Sequence, residues 1–228
     1  MVKYLLGFIT IAFFGISNLN ATPLHSYYCF STTQEQEVVA SMDSWLTSEA
    51  AKGLPTVRLW SMALNGELPE THCVVFENTD EDGFESMLQI FSSTEGQEFL
   101  SNFGEITVDG LEGAGTPIIS YGDSDFSKNN ALMLFNVSVR NPKAYVRLWS
   151  ELMQSSNIAG SATLFADTFT GVDRRTHYIA IAGPSLAAVR TSVSEILEGP
   201  EGREFLKKTA KVRKLISVNL MYHIKSWN

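Results

Sequence analysis

The sequence predicts an α+β protein made of two βαββαβ repeats packed sheet to sheet in one chain, and three observations carry that prediction. Glu95-Gly96-Gln97-Glu98-Phe99-Leu100 returns as Glu201-Gly202-Arg203-Glu204-Phe205-Leu206, at an offset of 106. Thr71-His72-Cys73 returns as Thr176-His177-Tyr178, at an offset of 105 and in the same order. Two matches at nearly one offset mark an internal repeat of domain size. Finally, strands such as 57–64 and 179–182 are too apolar to leave one sheet face in water. Two helices cover one face of a βαββαβ sheet, so a second sheet must cover the other. The repeat supplies that sheet within the chain, and a monomer is expected.

Residues 1–21 stand apart from the fold. Lys3 precedes an apolar run over 4–16 broken only by Thr10, and Ala21 comes before Thr22-Pro23. This is a signal-peptide pattern, so the protein is expected to be exported. The run falls short of the roughly 20 residues of a membrane span, and no later segment could span. The remainder divides into 22–126 and 127–228, and the two parts differ in charge. The first holds 18 acids against 2 bases, Lys52 and Arg58; the second holds 7 acids against 14 bases. Such a split can mark a nucleic-acid or membrane face. Attraction between two docked halves explains it more simply. The bases at Lys207, Lys208, Lys211, Arg213 and Lys214 lack the interleaved aromatics of a nucleic-acid site, so no such partner is expected.

The first repeat opens with an aromatic strand over 27–31. Val38, Val39, Met42, Trp45 and Leu46 then follow helical spacing, and Gly53 and Pro55 end that helix. Strands are expected over 56–64 and 72–77, joined by a turn at Asn65-Gly66. Asp80, Asp82 and Glu85 suit the positive end of a second helix. Ser92-Ser93-Thr94-Glu95 interrupts that helix and caps a further stretch containing Phe99. A fourth strand is expected over 116–121, with Gly110, Gly113 and Gly115 in the linker before it.

The second repeat follows the same order. Strands are expected over 131–139, 162–169, 177–182 and 215–224. Pro142 starts a helix with Tyr145, Leu148, Trp149 and Leu152 on its apolar stripe. The last helix is broken at Gly199-Pro200 and resumes through Phe205. Trp45 and Trp149 occupy matching helix positions. By contrast, Arg58-Leu59-Trp60-Ser61 and Arg147-Leu148-Trp149-Ser150 are identical but out of register, the first on a strand and the second on a helix.

The doubled βαββαβ order and the Glu-Gly-x-Glu-Phe-Leu segment after a helix break resemble the dimeric α/β-barrel superfamily of ferredoxin-like domains. The segment is similar to the late-helix stretch of antibiotic-biosynthesis-monooxygenase-like and stress-responsive barrel domains. The resemblance covers nearly all of 22–228 and implies a single-chain α/β barrel. It does not select a reaction, because the superfamily includes cofactor-independent monooxygenases, haem-degrading enzymes, haem peroxidases, lactone isomerases and ligand-binding regulators.

The residues exclude several chemistries. No His-x-x-x-His, Cys-x-x-Cys or His/Glu cluster exists, so no dedicated metal site is expected. No Gly-x-Ser-x-Gly and no phosphate-cradling glycine loop is present. His72 and His177 open equivalent strands. Facing the barrel interior, either could ligate haem or take a proton; retained strand-end polar residues are the alternative reading. Arg58 and Trp60 share a strand face and could line a pocket with His72, or Arg58 could pair with an acid of its own repeat. Asp167 and Asn219 are polar among apolar strand neighbours and need partners or a ligand. Cys29 and Cys73 form either a disulfide or two buried thiols on neighbouring strands. The first function expected is a cofactor-free exported module that binds a small apolar or aromatic molecule. The alternative is a cofactor-independent monooxygenase or a haem-binding or haem-degrading enzyme.

Overall fold

A computed structural model describes residues 23–78, 80–123, 128–169 and 172–228. The expected signal segment and the expected junction at 126–127 lie outside these. The elements run β1 (Leu24–Ser31), α1 (Glu35–Leu46), β2 (Val57–Leu64), β3 (His72–Asn78), α2 (Glu81–Ser92), α3 (Thr94–Ile106) and β4 (Val108–Gly122), followed by β5 (Ala131–Val139), α4 (Pro142–Gln154), β6 (Ser161–Phe169), β7 (His177–Gly183), α5 (Leu186–Glu198), α6 (Pro200–Thr209) and β8 (Arg213–Trp227). The eight strands close into one antiparallel barrel in the order β1-β3-β2-β8-β5-β7-β6-β4. Each half contributes one long final strand that leaves its own sheet's edge and pairs with the other half. β4 pairs with β6, and β8 pairs with β2. Closure therefore removes the edges that two open sheets would expose.

The recurring helix segment has a local cause. Ser93 ends α2, and its hydroxyl accepts from the Gly96 N–H at 3.1 Å to start α3. A Cβ on Gly96 would strike the Ile90 and Phe91 backbone, and one on Gly202 would strike the Ile196 carbonyl and Leu197. Glycine is required where the second helix of each pair turns back against the first. Phe99 then stacks on Trp45 with ring centroids 4.3 Å apart. Phe205 meets Trp149 at 6.1 Å in the other half.

Strand alternation sorts the core into three regions. Phe30, Val57, Leu59, Val74 and Phe76 face the helices of the first half, together with Val38, Met42 and Met87. Ala131, Val137, Leu164, Ile179 and Ile181 face those of the second half, around Tyr145 and Trp149. Tyr27, Cys29, Trp60, Cys73 and Met221 pack inside the barrel. Cys29 and Cys73 face each other across β1 and β3 and are joined as a disulfide.

Three strands differ most from the sequence reading. β1 begins at Leu24 rather than at 27, β4 begins at Val108 rather than at 116, and β8 runs from Arg213 to Trp227 rather than over 215–224. Gly110, Gly113 and Gly115 lie within β4, not in a linker. A Cβ on Gly113 would collide with the Tyr27 phenol, and one on Gly115 with the Tyr178 phenol. These glycines give two interior tyrosines their space. Ion pairs between the halves include Lys225 with Asp43 at 2.6 Å and Lys128 with Asp123 at 3.2 Å.

Candidate functional site

The residues singled out by sequence do not converge. Arg58 sits in the barrel wall, its Nε donating to Glu77 at 2.7 Å and one terminal nitrogen to Ser226 at 3.0 Å. The acid of its own repeat is thus its partner. Trp60 packs beside it, with its ring 5.2 Å from that of His223. Asp167 and Asn219 belong to a separate buried group. His72 and His177 correct the expectation that they face the interior. His72 shares its strand face with Val74 and Phe76, so it lies under the helices, stacked on Phe30 at 5.6 Å. Its Nε2 is 3.0 Å from Glu35 and its Nδ1 is 2.8 Å from Thr71 Oγ1. His177 lies on the equivalent face beside Tyr145, with Nδ1 2.9 Å from Thr176 Oγ1. His72 therefore lines nothing with Arg58 and Trp60.

The buried group centres on Arg175, which the sequence reading passed over because it lies in the β6–β7 turn. Its side chain is 3% exposed and that of Asp167 is 0% exposed. Its nitrogens donate to Asp167 at 2.7 and 3.0 Å, to Asn136 Oδ1 at 2.9 Å and to the Tyr27 phenol oxygen. The guanidinium also lies over the rings of Tyr27 and Tyr178. Asn136 passes the chain of bonds to Asn219 Oδ1 at 2.8 Å. Burial pushes the Tyr178 phenol well above its ordinary pKa, so it stays protonated. Tyr27 comes from the first half and the other members from the second. The group is a latch between the halves, and within it Asn219 Nδ2 has no hydrogen-bond partner.

An unfilled space lies elsewhere, between the first half's sheet and its helices. It is a cavity of about 280 Å³, walled mainly by Phe30, Trp45, Phe76, Phe91, Phe99 and Phe103. Leu88 and Leu100, on α2 and α3, also line it and are 44% and 42% exposed. Asp109 is the one charged residue in its wall among the described residues. The buried indole Nε1 of Trp45 has no hydrogen-bond partner, and neither has that of Trp149 at the matching place in the second half. Tyr28 also contributes, its phenol raised in pKa by burial and then by Glu112. On the other side Tyr28 borders an open groove of about 570 Å³ along Gly110, Glu112, Gly113 and Phe169. That groove is wide and mixed in character and encloses little.

The second half treats the same layer differently. Tyr145, Trp149, Leu152 and Met153 fill it at 0–3% exposure. The cavity described there, about 160 Å³, includes Glu151, Glu201, Glu204 and Lys208 in its wall. Burial pushes the Tyr145 phenol up to about 12. The usable pocket thus belongs to the first half. Its one sequence signal is the run of phenylalanines at 91, 99 and 103, which reads as an ordinary core stripe.

Three histidines make stability depend on pH. Burial lowers the pKa of His25, His177 and His223 below the usual 6.5. Near pH 6.5 the unfolded chain therefore binds more protons than the fold, and stability rises with pH there. This contribution is expected in full above about pH 7 and to be lost as pH falls through 6.5 toward the folded-state values. Urea midpoints at about pH 7.5 and 5.5 check it. His177→Asn should show a smaller drop than the parent; an equal drop removes His177 from the explanation.

No family model matches the chain, and no curated protein matches it. Solved structures do share its fold. A proposed monooxygenase from Fusobacterium nucleatum superposes with a TM-score of 0.62 at 11% identity, covering 91% of this chain and 95% of its own. An anthrone oxidase-like protein gives 0.61 at 9% identity, covering 91% and 92%. A chlorite dismutase variant from Candidatus Nitrospira defluvii gives 0.53 at 12% identity, covering 89% and 91%. At these identities the likeness establishes the ferredoxin-like barrel fold and leaves the chemistry open.

Proposed function

We propose that the protein is an exported binding module that holds a small, largely apolar aromatic molecule between the first half's sheet and helices α1–α3. The cavity of about 280 Å³, with its aromatic wall, carries this reading. A mostly apolar recess with few polar groups is the usual form of a small-molecule site, and this one lies just below the usual range of roughly 300–1,000 Å³. A ligand of two or three fused rings suits its size. Export is supported by the N-terminal pattern and by the Cys29–Cys73 bridge.

Calorimetric titration with neutral two- and three-ring aromatics tests the reading. Leu100→Trp places a larger side chain at the half-exposed rim without disturbing buried packing. Binding is expected for the parent and to weaken at least about tenfold in the variant, a cost of about 1.4 kcal/mol. Binding indifferent to the variant places the ligand elsewhere.

A second reading is oxidation of such a bound molecule without a cofactor. The monooxygenase and anthrone oxidase-like names of similarly folded proteins favour it. Oxygen uptake with a panel of quinols tests it. The haem form of that alternative does not fit the pocket. Neither His72 nor His177 lines it, Cys29 is bonded to Cys73, and Tyr28 is held protonated.

A further inference from the structure

We infer that the first-half pocket selects organic cations: an aromatic or apolar body enters the cavity while an ammonium group sits at its rim beside Asp109. This rests on the reading that the pocket binds a small molecule, and it names the class. Phe30, Trp45, Phe91 and Phe99 line the space, Trp45 stacked on Phe99 with Phe91 tilted against it. Aromatic faces carry negative potential and attract cations, more strongly once water is excluded. No Lys, Arg or His lines the cavity among the described residues, and Asp109, on exposed β4 backbone beside Phe30, is its charged member.

The surroundings point the same way. Residues 22–126 carry 18 acids and 2 bases. Both bases are engaged by acids, Lys52 by Glu49 at 3.3 Å and Arg58 by Glu77 at 2.7 Å. The basic half lends little, since Lys225, the base that reaches across to α1, is held by Asp43. Among the described residues the wall offers no cation to a buried carboxylate, which needs a cation or several donors. Anionic amphiphiles are therefore excluded, and neutral ones gain nothing from Asp109 or the surrounding field.

Three probes sharing one ring system separate these cases: 2-(1-naphthyl)ethylammonium, 2-(1-naphthyl)ethanol and 1-naphthylacetate, titrated calorimetrically at pH 7. The ammonium is expected to bind at least about tenfold tighter than the alcohol, and the carboxylate at least about tenfold weaker. Asp109→Asn, an exposed change that should leave folding intact, is expected to bring the ammonium within about threefold of the alcohol without altering alcohol affinity. Higher salt should narrow the gap in the parent. Equal affinity of ammonium and alcohol, with both still weakened by Leu100→Trp, overturns cation selection and leaves the pocket reading standing. An ammonium preference that survives Asp109→Asn unchanged overturns the placement at the rim. Binding of none of the three overturns both readings.

Discussion

Arg175→Met is expected to destabilise the fold by about 3–5 kcal/mol, because it leaves the Asp167 carboxylate buried without its cation. The same change strips partners from Tyr27 and Asn136, so the seam between the halves loosens with it. The double variant Arg175→Met/Asp167→Leu should recover much of the loss, since a buried pair replaced as a unit by apolar residues is often near neutral. Urea unfolding of the parent, both single variants and the double variant gives the coupling directly. Losses that simply add would show that the pair is not a unit.

The second large effect is expected from the disulfide. Cys29 and Cys73 are 44 residues apart in sequence. Closing a loop of that length restrains the unfolded chain by about 4 kcal/mol in the chain-entropy description. For a chain of this size that corresponds to a fall in Tm of roughly 10 °C on reduction. The bridge lies inside the barrel with Trp60 and Met221, so Cys29→Ala/Cys73→Ala adds lost packing to lost restraint. Thermal unfolding of the parent with and without reductant, beside the double variant, separates the two. A Tm unmoved by full reduction would show that the folded barrel already restrains these strands without the bond.

Features whose cause is local in the chain were legible in the sequence. Gly96 and Gly202 recur because each must pass a neighbouring helix backbone, and the Ser93 cap marks the break that makes this possible. The apolar strands called for a second sheet, and the barrel supplies it. The facing of His72 and His177 was not legible. Both faces of these strands are buried, so alternation separates two sets of side chains without saying which set lies under the helices. Gly113 and Gly115 looked like linker because the tyrosines they accommodate, Tyr27 and Tyr178, arrive from distant strands. Arg175 reads as a turn residue until Tyr27 from the other half covers it. The pocket was hidden for a related reason. Phenylalanine stripes on α2 and α3 look alike whether the layer beneath is filled, as by Tyr145 and Trp149 in the second half, or open.

The most direct measurement follows the indole N–H signals of the four tryptophans by ¹H–¹⁵N correlation while an aromatic binder is added. The Trp45 signal is identified by its loss in Trp45→Phe. Occupation of the first-half pocket, whose wall includes Trp45, should move the Trp45 signal, with Trp60 and Trp149 left in place. Saturable binding that shifts Trp60 inside the barrel or Trp149 in the second half, while Trp45 stays where it was, would contradict the assignment of the site.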